Sequence, residues 1–165
     1  MPRRTREWLE AGLRYRLTAS HREFLEGADG VRLTRTFRGE ATEVSIHGCE
    51  AIFLRTFGSY YRLVKTAFAT LSLYDTPVAF ADVGRVLQFS LLRADGANAR
   101  VTYVDHRWNE RVYTHHHAVT DLTFTDWIEH VMADDAWLDE TFGAIDPSRA
   151  VPLGVPPRDS SETAL

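Results

Sequence analysis

The spacing of apolar residues switches repeatedly between a period near 3.6 and a period of 2, and that succession limits the chain to one fold class. Trp8, Leu9, Leu13, Leu17, Phe24 and Leu25 recur at helical spacing, which predicts an amphipathic helix over residues 5–26. Thr5 is placed to cap it, and Gly27 with Asp29-Gly30 to end it. In the next stretch Val31, Leu33 and Phe37 alternate with Arg32, Thr34 and Thr36, and a turn at Arg38–Ala41 leads into Thr42–Ile46. That pattern predicts a hairpin. A broad apolar stripe (Ile52, Phe53, Phe57, Tyr60, Tyr61, Val64, Phe68, Leu71) predicts a long helix over 50–72, weakened by Gly58 by about 1 kcal/mol and stopped at Asp75-Thr76-Pro77.

Residues 78–124 carry strand patterns at Val86–Arg93, Val101–Asp105 and Arg111–Val119, with the loop His106–Glu110 between the last two. The shortest register for that pair sets Val104 against Val112, Tyr103 against Tyr113, Asp105 against Arg111 and Val101 against His115. A last helix is predicted over 126–142, capped by Thr125 or Asp126 and ended by Gly143. The order α-β-β-α-β-β-β-α implies an α+β class. It would be a single domain over residues 1–145, with a mostly antiparallel sheet packed by N-terminal, central and C-terminal helices. Four of the six prolines follow Asp146, so residues 146–165 are expected to form an extended or disordered tail, with Val151–Val155 able to lie as a strap across the domain.

Charge and composition narrow the function classes. The net charge of −4 argues against nucleic acid, whose phosphates need a basic surface. Residues 1–70 hold 12 basic and 8 acidic side chains and residues 71–165 hold 7 and 15, a polarity that could steer a partner protein or a second copy. No apolar run reaches the roughly 20 residues of a membrane span. The N-terminal Met1–Arg6 segment leads into no apolar signal region, and the single Cys49 forbids an internal disulfide. A cytoplasmic location is the expectation.

Three constellations could carry chemistry. His115, His116 and His117 end a strand pattern, so His115 and His117 share a face. With Asp121, or His106 across the hairpin, they could hold a divalent transition metal such as Zn, or move a proton. His47 and Cys49 flank Gly48 at the start of the long helix, where a thiol can acquire a lowered pKa and become reactive. Trp108, on a loop otherwise made of His, Arg, Asn and Glu, together with Tyr103 and Tyr113, forms a candidate binding surface. Asp134, Asp135, Asp139 and Glu140 sit late in the last helix, where the macrodipole disfavours them, and suggest a partner surface.

No phosphate loop, Cys-x-x-Cys, nucleophile elbow or EF-hand loop is present. The leading expectation is therefore a small binding or interaction protein, acting on a partner protein, on itself or on a small apolar ligand, with no evident catalytic motif. The alternative is a metal-assisted or acid–base enzyme built on the His-x-His pair. A third expectation is a module that responds to pH through its seven histidines.

Overall fold

The computed structural model describes residues 3–67, 76–106, 116–144 and 147–152. It is an α+β fold: a six-stranded antiparallel sheet in sequential order, with helices on both sides. The elements are α1 (Arg3–Leu13), α2 (Ala19–Gly27), β1 (Val31–Phe37), β2 (Glu40–Ile46), α3 (Cys49–Ala67), β3 (Val78–Val83), β4 (Leu87–Leu91), β5 (Arg100–Asp105), β6 (His116–Thr123), α4 (Phe124–Ala133) and α5 (Trp137–Phe142). A two-residue strand β7 (Val151–Pro152) pairs with His116 and His117, so the expected strap is present at its first two residues.

The N-terminal helical stripe is two helices, not one. Arg14 takes a positive φ of 47°, its N–H turns back to the Ala11 carbonyl, and the chain leaves the helix. Thr18 then caps α2 by accepting from the His21 N–H at 3.3 Å. The hairpin matches its pattern with a shorter turn. Phe37 pairs directly with Glu40, leaving Arg38 and Gly39 as a two-residue loop with φ of 55° and 74°. Positive φ at both positions matches the strand twist, and Gly39 adopts it without strain.

The last helical stripe also divides, at Asp134–Ala136. Thr123, not Thr125 or Asp126, is the cap of α4. Its hydroxyl accepts from the Asp126 N–H, and the Asp126 carboxylate accepts from the Thr123 N–H at 2.8 Å, a reciprocal capping box. Hydrogen bonds from Thr123 hold the Asp126 carboxyl below its usual range.

Leu87, Phe89 and Leu91 put one face of β4 into the main core, where Phe80, Phe89, Phe124 and Trp127 meet edge-on or tilted with centroids 5.0–6.4 Å apart. A second apolar cluster joins α1, α2 and α3 through Leu9, Leu13, Leu17, Leu25, Cys49 and Ile52. The free edge of β1 is partly covered: Thr36 N–H donates to the Asp135 carbonyl, and Arg35 reaches the Val131 and Met132 carbonyls and the Asp135 carboxylate. The Asp139 carboxylate likewise accepts from the Arg38 N–H. Asp135 and Asp139 of the acidic patch thus dock α5 onto β1.

The expected pairing of β5 with the following strand is displaced by five residues. Tyr103 faces Ala118 and Thr102 faces Val119, with a bulge before Arg100 pairs with Thr123. Ala118 thus takes the place opposite Tyr103 that was expected for Tyr113; Tyr113 and His115 lie outside the described residues. Asp105 is buried and pairs with Arg38 at 2.7 Å, while Arg111, its expected partner, lies outside the described residues. The displacement puts small Ala118 on the Tyr103 face, where the Phe89 and Phe142 rings already fill the core. Among the described residues no helix is long and apolar enough to cross a membrane.

Candidate functional site

The two faces of the central strands differ in chemistry although both are covered. Leu87, Phe89 and Leu91 point to the aromatic core, so Gln88 and Ser90 lie on the opposite face, beside Thr102, which pairs with Ser90. His117 alternates onto that face with Val119, the partner of Thr102. All four polar residues are at least nine-tenths buried. An alternating Leu-Gln-Phe-Ser-Leu strand would ordinarily show its polar side to water; here that side is roofed.

Helix α3 provides part of the roof. Thr56, at its middle, accepts from the Ala79 N–H at 3.1 Å and ties the helix to β3. At its start, Gly48 lets the Asp29 segment cross closely, because a Cβ there would meet the Asp29 carbonyl oxygen at 2.8 Å. Asp29 Oδ1 accepts from the Cys49 N–H at 3.3 Å, and the His47 N–H donates to the Phe80 carbonyl at 2.7 Å. These contacts set the His47 ring against β3, with Nε2 3.3 Å from Asp82 Oδ2. The same carboxylate oxygen is 3.1 Å from the Arg55 guanidinium, one and a half turns along α3. Asp82 thus bridges an imidazole and a guanidinium.

Beyond Asp82 the gap between α3 and the β3–β4 hairpin opens into a cleft of about 520 Å³. Arg55 and Gly58 line it from α3, Asp82 and Gln88 from the paired strands, Arg85 from the hairpin turn and His106 from the end of β5. A smaller cleft of about 320 Å³ shares Arg55 and is lined by Arg32, Ser45 and His47. Gly58 lies inside a long helix, where glycine costs about 1 kcal/mol relative to alanine, yet a Cβ at that position would meet nothing within 4 Å. Packing within the described protein does not demand this glycine; its missing side chain leaves cleft volume.

The residues expected from sequence to form sites are distributed differently. His115, Trp108 and Tyr113 lie outside the described residues. His117 is buried, while Asp121 is exposed at the β6 bulge. Among the described residues no group of three or more His, Cys, Asp or Glu side chains is placed to hold a metal ion. Tyr103 is a core residue, 5% exposed, and so presents no binding surface. Cys49 is fully buried; desolvation, with the Asp29 carboxylate beside it, pushes its thiol up to about 11. A thiol held protonated is not a nucleophile at neutral pH, and His47 is turned to Asp82 instead of serving it.

Arg55, Asp82, Arg85 and Gln88 were not singled out in the sequence. Asp82 inside Val78-Ala-Phe-Ala-Asp-Val83, a strand absent from the expected order, was the available signal, together with the glycine inside the long helix. Comparison with known proteins gave no match to a family model, a curated protein or a solved structure.

Proposed function

We propose that this protein binds a small polar molecule in the cleft between α3 and the β3–β4 hairpin. The volume of about 520 Å³ lies in the range of small-molecule sites, and several polar groups converge on it. Gly58 carries the reading most directly: it is a destabilising residue in a helix, placed where a Cβ would project into the cleft and meet no described atom within 4 Å. Arginine, aspartate, glutamine and histidine line it beside Leu54 and Leu87, which favours a ligand with a polar group over the wholly apolar one that the aromatic content suggested.

A screen of small polar molecules, read by amide chemical shifts of ¹⁵N-labelled protein, tests this. Binders should shift Arg55, Asp82, Gln88 and His106, and should be lost in Gly58→Met, which fills the cleft without meeting its walls at Cβ. Binders that map elsewhere, or that Gly58→Met leaves untouched, would refute the reading.

A second reading, acid–base catalysis on the same ligand, draws on the His47–Asp82 contact. His47 Nε2 lies 3.3 Å from Asp82 Oδ2 without hydrogen-bond geometry, so the reading rests on the proximity of an imidazole and a carboxylate, residue types that general acid–base catalysis uses. Under that reading His47→Gln leaves ligand affinity intact and abolishes turnover; unchanged turnover would remove it.

A further inference from the structure

We infer that the cleft ligand carries an oxyanion, a carboxylate or a phosphate, seated between Arg55 and Arg85. This rests on the cleft being a binding site, and it names the chemical class that the site takes. Among the described residues two arginines line the cleft, and the one acidic side chain lining it is Asp82. Asp82 is already divided between Arg55 and His47, so the described lining carries an excess of positive charge within a chain of net charge −4. Arg85 is exposed and has no carboxylate partner among the described residues.

Arg55 is pinned on one side by Asp82 at 3.1 Å, while its side chain remains 54% exposed. The ion pair restrains the guanidinium, and Arg55 lines both this cleft and the smaller one. A guanidinium oriented by a partly buried partner loses less freedom when it grips an oxyanion, and its fork of N–H donors fits carboxylate or phosphate oxygens. Asp82 in this arrangement is a positioning residue. Its negative charge on the cleft wall also disfavours a second anionic group deeper in the site, so the oxyanion is expected at the Arg85 mouth with the uncharged part of the ligand toward Gln88.

The experiment titrates inorganic phosphate and acetate separately into ¹⁵N-labelled protein at constant ionic strength, so that general screening stays fixed. Wild type should show saturable shifts at Arg55, Arg85 and Gln88 with at least one of the two, and the tighter one identifies the headgroup. Arg85→Gln, which removes an exposed side chain, should weaken that binding by about tenfold, the loss expected of one charge-assisted contact. Asp82→Asn should retain some binding but lower the preference for one anion over the other, because Arg55 is no longer held.

If neutral molecules map to the cleft while neither anion saturates, or if Arg85→Gln binds as well as wild type, the oxyanion inference is overturned and the cleft reading stands. If no molecule of any charge maps there, both fall. Unchanged amide shifts outside the cleft in Arg85→Gln show that this variant is folded.

Discussion

His21 is the most isolated polar group among the described residues. It is fully buried in the first turn of α2, stacked on Phe124 at 4.3 Å, with neither ring nitrogen hydrogen-bonded. Desolvation lowers its pKa from 6.5 to about 3, so it is neutral at pH 7. Below pH 6.5 the unfolded chain takes up a proton that the folded chain refuses, so this contribution to stability falls as pH falls. The fall should approach about 1.4 kcal/mol per pH unit until the folded pKa is reached. His21→Phe keeps an aromatic ring and removes the unpaired N–H. It should raise stability at pH 7 by about 1 kcal/mol and flatten the acid slope, as read from urea midpoints between pH 7 and pH 4. A variant with an unchanged slope would show that another group sets the acid limb.

At the scale of elements, the hairpin β1–β2 is held to the rest of the sheet by Arg38. Its guanidinium pairs with the buried Asp105 on β5, and its Nε donates to the Gly143 carbonyl past the end of α5. Arg38→Met removes the guanidinium from a buried carboxylate and should cost about 3–5 kcal/mol, measured by denaturant unfolding. A loss below about 1 kcal/mol would mean that Asp105 is satisfied by its other contacts. Thr123→Ala breaks the α4 capping box and should cost about 1 kcal/mol. In α3 the sign reverses: Gly58→Ala should stabilise by about 1 kcal/mol, because the new methyl meets open space.

Much of this element layer was readable from period and punctuation. The hairpin, the central helix and the strand at Val101–Asp105 left clean patterns, while Val86–Arg93 reads as strand or helix until the flanking Gly84 and Asp95–Asn98 turn signals are weighed. The helix breaks at Arg14–Thr18 and Asp134–Ala136 did not, because the apolar spacing runs on across them while the caps sit one turn away. The β5–β6 register was also hidden: a short loop is the default, and only the packing of Tyr103 against Phe89 and Phe142 selects Ala118 as its neighbour.

For the molecule as a whole, the two faces of one sheet divide the work. One face is an aromatic core that α4 and α5 close. The other carries buried polar side chains, is flanked at β3 by α3 and opens at the hairpin turn into the cleft. Sequence could not assign this division, since Gln88 and Ser90 read like a solvent face until the roof is known. It could not bring Arg55, Asp82 and His47 together either, as they come from a helix, a strand and a strand end more than 25 residues apart in places.

A thiol placed at position 58 measures the central claim directly. Cys49 is buried and its thiol is pushed up to about 11, so in Gly58→Cys the new thiol should react alone. An open, cationic cleft that receives oxyanions predicts alkylation by iodoacetate faster, relative to iodoacetamide, than for free cysteine, with phosphate slowing both reagents. A thiol that does not react, or that reacts with the free-cysteine ratio and is indifferent to phosphate, would contradict it.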